Sequence, residues 1–89
     1  FFAMDLTEGD FERTDFTDSS LIEVDFDEAH FYRSRLVRGK FDRSSINIVD
    51  FSFADLTDSN PFDARSNYGL ILHMTILPNG TIGEKESLM

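Results

Sequence analysis

Eighty-nine residues make one small domain, and the absence of cysteine rules out a disulfide framework, thiolate zinc sites and thiol catalysis. Seventeen acidic residues against eight basic ones give a net charge of −9. That balance disfavours direct nucleic-acid binding, because counterion release needs a cationic footprint. The charge is uneven: residues 1–29 hold ten acids and one base, residues 30–45 five bases and one acid, and residues 46–89 six acids and two bases.

From the first residue a bulky apolar side chain returns at every fifth position: Phe1, Leu6, Phe11, Phe16, Leu21, Phe26, Phe31, Leu36, Phe41, Ile46, Phe51 and Leu56. Two residues before each of these centres the side chain is mostly small, as at Gly9, Ser19, Ala29, Ser34, Gly39, Ser44 and Ala54. The residue between is polar or charged: Asp5, Asp10, Asp15, Ser20, Asp25, His30, Arg35, Lys40, Ser45, Asp50, Asp55. Because the chain opens on Phe1, already in phase, further repeats upstream are expected.

A period of five fits neither regular structure. On a helix a five-residue step advances about 140° net, so the centres would circle the cylinder. In a strand an odd step sends alternate centres to opposite faces. One continuous core results if the chain bends after every unit and each unit points its centre and its preceding small residue inward. Short extended sides joined by turns then wind into a solenoid whose coils stack at about 4.8 Å. The number of sides stays open. An offset of twenty aligns Asp15, Arg35 and Asp55, and also Asp18, Arg38 and Asp58; an offset of fifteen aligns Asp25, Lys40 and Asp55, and also Glu28, Arg43 and Asp58, equally well.

Units such as Ala54-Asp55-Leu56-Thr57-Asp58, Thr14-Asp15-Phe16-Thr17-Asp18 and Val24-Asp25-Phe26-Asp27-Glu28 resemble the A-(D/N)-L-x-x signature of pentapeptide-repeat proteins. The resemblance spans residues 1–60. It implies an all-β solenoid, a right-handed quadrilateral β-helix of four pentapeptides per coil and about three coils, closed by a short C-terminal helix/strand cap.

The phase breaks at Pro61, where a thirteenth centre is due. Residues 61–69 read as a short helix with Asn60 as N-cap, Pro61 in the first turn and Gly69 as the stop. Leu70 to Leu77 reads as a buried strand, ended by a turn at Pro78-Asn79-Gly80. That apolar run is far shorter than the ~18 residues of a spanning helix, so no membrane insertion is expected. Residues 76–81, Ile-Leu-Pro-Asn-Gly-Thr, are similar to the L/M-P-D-G-T tails of the same family. Residues 61–83 are expected to form the cap or, alternatively, a homodimer interface, and residues 84–89 to fray.

Chemistry is expected to be absent: no catalytic residue, no cofactor, no metal. His30 reads as a solvated or salt-paired residue and His73 as packing. Asp25-x-Asp27 lacks the glycine and further ligands of a calcium loop. Neither a phosphate loop nor a nucleophile elbow is present. Asn79-Gly80-Thr81 matches a glycosylation sequon, but its turn needs no other explanation. The leading expectation is a non-enzymatic binding or scaffold module. It would meet a protein partner through the basic belt Arg33, Arg35, Arg38, Lys40 and Arg43, with Ile22, Tyr32, Val37, Ile48 and Phe53 as an apolar docking patch if they share a side. The alternative comes from the resemblance: DNA mimicry against a type II topoisomerase such as DNA gyrase, which the acidic total favours and the belt opposes.

Overall fold

The computed structural model describes residues 4–83; the first centre, Phe1, and the tail at 84–89 lie outside them. Parallel bridges join Asp5 to Asp25 and Asp25 to Ser45, Asp10 to His30 to Asp50, Asp15 to Arg35 to Asp55, and Ser20 to Lys40. Every step is twenty residues, so four five-residue sides make one coil, and the fifteen-residue offset is not used. On each side the centre donates to the coil above (Phe11 N–H to the His30 carbonyl, 2.7 Å), and the returning bond runs from His30 N–H to the Gly9 carbonyl, 2.9 Å.

The bends repeat as faithfully as the sides. In most units the third residue after the centre donates back to the centre's carbonyl, as from Thr14 to Phe11 at 3.2 Å and from Ser34 to Phe31 at 3.0 Å. The second residue after the centre is left-handed in every unit from Glu8 to Asp58, with φ between 57° and 64°. Such a turn favours glycine or asparagine there. This chain instead places charged residues at most corners, and Ile48 and Phe53 at two of them.

Inside, the centres stack in four columns. Phe11, Phe31 and Phe51 lie face to face, with ring centroids 5.1 and 5.4 Å apart. Phe26 meets Phe31 edge-on at 5.1 Å. The small inward residues fill the rest, and their hydroxyls bond to backbone carbonyls: Ser34 to Phe31 at 2.7 Å and Ser59 to Leu56 at 2.6 Å. Ser44 replaces a turn bond, accepting from Val24 N–H and donating to the Leu21 carbonyl of the coil below. No buried side-chain polar atom among the described residues lacks a partner.

The C-terminal segment differs in detail from the expectation. Its helix is one 3-10 turn, Pro61–Asp63, and Asn60 makes no side-chain cap bond to it. The Asn60 side chain faces the coil below, where Oδ1 accepts from Phe41 N–H at 2.7 Å and Nδ2 donates to Asp42 at 2.6 Å. It thus takes the place of the backbone carbonyl that accepts from the equivalent centres, such as His30 from Phe11. Pro61 is buried at the thirteenth centre's place. One extra residue is then absorbed where Arg65 and Ser66 both donate to the Ser44 carbonyl, at 2.8 and 3.4 Å, a bulge.

Beyond the bulge the bridges resume with a step of twenty-one: Ser45 to Ser66, Asp50 to Ile71, Asp55 to Ile76. The Leu70–Leu77 run is therefore two sides of a further coil bent at Met74 (φ 53°), not one straight strand. Leu70 and Leu72 are buried, Leu72 continues the Phe11–Phe31–Phe51 column, and Thr75 bonds the Phe51 carbonyl at 2.7 Å. Strand β1 (Thr75–Ile76) then pairs antiparallel with β2 (Ile82–Gly83) across a turn at Asn79-Gly80. A Cβ placed on Gly83 would lie 3.1 Å from the Leu77 side chain and 3.3 Å from the Leu72 carbonyl, so β2 folds back over the last coil. The described residues extend 30 × 23 × 22 Å.

Candidate interaction surface

Many of the acids have local work. Asp5, Asp10, Asp15, Asp25, Asp50 and Asp55, each just before a centre, accept the amide of the residue just after it, as Asp15 does from Thr17 at 2.9 Å. Where that residue is threonine its hydroxyl adds a second bond, 2.6 Å at Asp5 and Asp15. These threonine hydrogen bonds, hydroxyl first and amide second, hold the Asp5 and Asp15 carboxyls below the usual carboxylate range.

On the side centred on Phe26 and Ile46, serine replaces aspartate in the upper coils and the neighbouring coil supplies the acceptor. Asp27 takes the Ser45 hydroxyl at 2.6 Å and Asn47 N–H at 2.9 Å; Asn47 in turn takes the Ser66 hydroxyl at 2.7 Å and Tyr68 N–H at 3.0 Å. The acidic excess is thus partly turn chemistry, which the composition alone reads as surface charge.

The five belt residues lie in the second coil and spread over three sides. Arg38 forms a forked pair with Asp18 of the coil below, 2.5 and 2.9 Å, which lowers the Asp18 carboxyl and raises the guanidinium from their ordinary values. Arg43 approaches Glu23 at 4.0 Å. Arg35 is bridged through its backbone between Asp15 and Asp55, and its charge contributes to the lowering at Asp15. The Arg33 guanidinium sits 5.3 Å from the ring centres of both Tyr32 and Phe53. Lys40 bridges Ser20 through its backbone.

The apolar positions do not gather on one side. Tyr32 and Phe53 meet edge-on at 5.5 Å on the side centred on Phe31 and Phe51, and Phe53 meets His73 at 5.4 Å. Val37 is buried on the next side, and Ile22 lies on the side after it. Ile48 stands at the preceding corner, against Gly69. His73 is exposed beyond its contact with Phe53; His30 is exposed between Asp10 and Asp50 in the bridge column. No cluster of candidate metal ligands occurs among the described residues, and no helix among them is long and apolar enough to cross a membrane.

A position missed in the sequence is Arg13. With the offset fixed at twenty, its amide bonds the Tyr32 carbonyl at 2.9 Å, which puts its side chain directly beneath Arg33. The separation of twenty was the available signal, but fifteen fitted the charges equally well.

The family model for pentapeptide repeats matches in eight copies over residues 3–33 and 10–47. No curated protein shows significant sequence similarity to the chain. Among solved structures the chain is similar to HetL of the cyanobacterium Nostoc sp. strain PCC 7120, a pentapeptide repeat protein involved in heterocyst differentiation regulation. The match has 20% identity and a TM-score of 0.61 over 92% of this chain and 43% of that one, so the chain spans less than half the length of HetL. The likeness concerns the fold, a right-handed β-helix solenoid.

Proposed function

The chain belongs to the pentapeptide-repeat family, and from that premise we propose that it is a non-enzymatic binding or scaffold module that presents fixed charges to a protein partner. The observation carrying this reading is the twenty-residue bridge register, which holds outward side chains in straight columns on rigid faces. The partner-facing residues are those of the belt least engaged by the chain's own carboxylates, namely Arg33, Arg35 and Lys40, and a partner of opposite charge is steered to them. Residues 61–83 act as the cap, since β2 folds over Leu77 and Leu72. The role in regulation attached to HetL fits a protein that works by contact rather than by chemistry.

The test is affinity capture with the 89-residue chain against a variant carrying Arg33→Gln, Arg35→Gln and Lys40→Gln, with folding checked by circular dichroism. Loss of a specific partner is expected, and equal recovery overturns the belt reading. DNA mimicry is the second reading, favoured by the net charge of −9 alone. Inhibition of gyrase supercoiling together with a stable dimer by light scattering would replace the first reading with it; no inhibition and a monomer are expected.

A further inference from the structure

We propose that the corner formed by Arg13 and Arg33, with Phe53 and Met74 above them, is a docking strip for an extended acidic–apolar peptide segment of a partner protein; this rests on the binding-module reading and narrows it to one column. The four residues occupy equivalent corner positions in successive coils. Arg13 N–H bonds the Tyr32 carbonyl at 2.9 Å, Arg33 N–H bonds Ser52 at 3.0 Å, and Phe53 N–H bonds His73 at 2.9 Å.

Three observations set this column apart. Two other corner columns carry charge pairing within the chain: Arg38 pairs with Asp18 and Arg43 approaches Glu23. Arg13 over Arg33 is the one cationic like-charge pair stacked at coil spacing among the described residues, and neither arginine has a carboxylate within 4.0 Å there. Like charges directly opposite on neighbouring strands destabilise the pair, so the column gains when an anion sits between them.

Arg33 is also held ready. Its guanidinium lies 5.3 Å from both ring centres of the Tyr32–Phe53 pair. A guanidinium so braced has less freedom to lose on accepting a carboxylate in its fork. Phe53 and Met74 complete the strip at 42% and 41% exposure, each with a left-handed backbone (φ 59° and 53°). A bulky residue is unfavourable in that conformation, so Phe53 at a corner is a costly arrangement, offset within the fold by its contacts with Tyr32, His73 and Arg33.

The geometry sets the kind of occupant. Four corners at about 4.8 Å spacing span roughly 14 Å, which four to five extended residues cover. The order from the N-terminal coil upward is cation, cation, aromatic, thioether, so the complementary segment is acidic towards one end and apolar towards the other, with alternate side chains facing the strip and a carboxylate set between the two arginines. The flanking columns hold Asp10, His30 and Asp50 on one side and Asp15, Arg35 and Asp55 on the other.

The test is NMR on the folded 89-residue chain, following backbone amides, arginine Nε–H and aromatic signals. Three capped probe peptides of sequence Gly-Asp-Glu-Phe-Leu-Gly, Gly-Asn-Gln-Phe-Leu-Gly and Gly-Asp-Glu-Ala-Ala-Gly are titrated in turn, then a phosphoserine peptide and a twelve-nucleotide single strand. The first peptide is expected to shift the Nε–H signals of Arg13 and Arg33 and the rings of Tyr32 and Phe53. Its affinity should fall about tenfold in Arg13→Gln and in Arg33→Gln, as for loss of one charge-assisted contact, and stay unchanged in Arg65→Gln, an exposed arginine outside the strip and the belt. The Asn/Gln and Ala peptides should each bind more weakly.

Shifts scattered over the chain, no shifts, or equal binding of the Asn/Gln peptide overturn the strip. An equal loss in Arg65→Gln overturns it as unspecific charge attraction, and the capture experiment tests the wider belt separately. Tighter binding of the phosphopeptide or the oligonucleotide at the same residues overturns the assigned partner class.

Discussion

Replacing Phe31 with leucine probes the stacked core at its centre. Phe31 is fully buried and touches four other rings, stacked on Phe11 and Phe51 at 5.1 and 5.4 Å and edge-on to Phe16 and Phe26 at 5.8 and 5.1 Å. Complete truncation of a buried phenylalanine costs about 3–5 kcal/mol. Leucine restores most of the volume but none of the ring contacts, each worth about 0.5–1.5 kcal/mol beyond area burial. Allowing for contacts that the repacked leucine replaces, the loss is about 2–3 kcal/mol. A domain of this size loses roughly 4–8 °C of Tm per kcal/mol, so Tm should fall by about 10–20 °C. The assay is thermal and urea unfolding by circular dichroism, with Phe62→Leu as the control, since Phe62 is 45% exposed and belongs to no ring pair among the described residues. If Phe31→Leu unfolds no more easily than Phe62→Leu, the aromatic column does not hold the coils together and the reasoning fails.

Ile48→Asn should raise stability by about 0.5–1 kcal/mol, read as a higher urea midpoint, because a β-branched residue at φ 58° is strained where asparagine is not. Asn60→Ala should cost about 1–3 kcal/mol by orphaning the Phe41 amide. Asn60→Asp keeps that acceptor but faces Asp42, and should fall between the two in the same unfolding assay. Acidification should destabilise the fold: the Asp5, Asp15 and Asp18 carboxyls are held below their unfolded values, so their contribution is complete above the usual carboxylate range and is lost as pH falls through the lowered folded values. Thr17→Val should move the Asp15 titration, followed by carboxyl NMR, back toward the ordinary value.

The sequence alone determined the repeat. A bulky side chain at every fifth residue with a small one two places earlier leaves a bent solenoid as the geometry that keeps all of them inside, and the buried centres from Phe16 to Leu56 follow that rhythm. Tertiary structure decided what depends on distance across coils. The number of sides came from which strands bridge, because charges alternate at either offset, as Asp15/Arg35/Asp55 at twenty and Asp25/Lys40/Asp55 at fifteen, and only backbone closure selects twenty. The further coil after Pro61 was hidden because its extra residue is absorbed by a bulge at Arg65 and Ser66, which shifts Leu72 and Leu77 out of the counted phase. The surface was least legible of all. Whether a charge is spent within the chain depends on the residue stacked above or below it: the same sequence pattern gives Arg38 an intramolecular carboxylate and gives Arg33 two aromatic rings and a second arginine beneath.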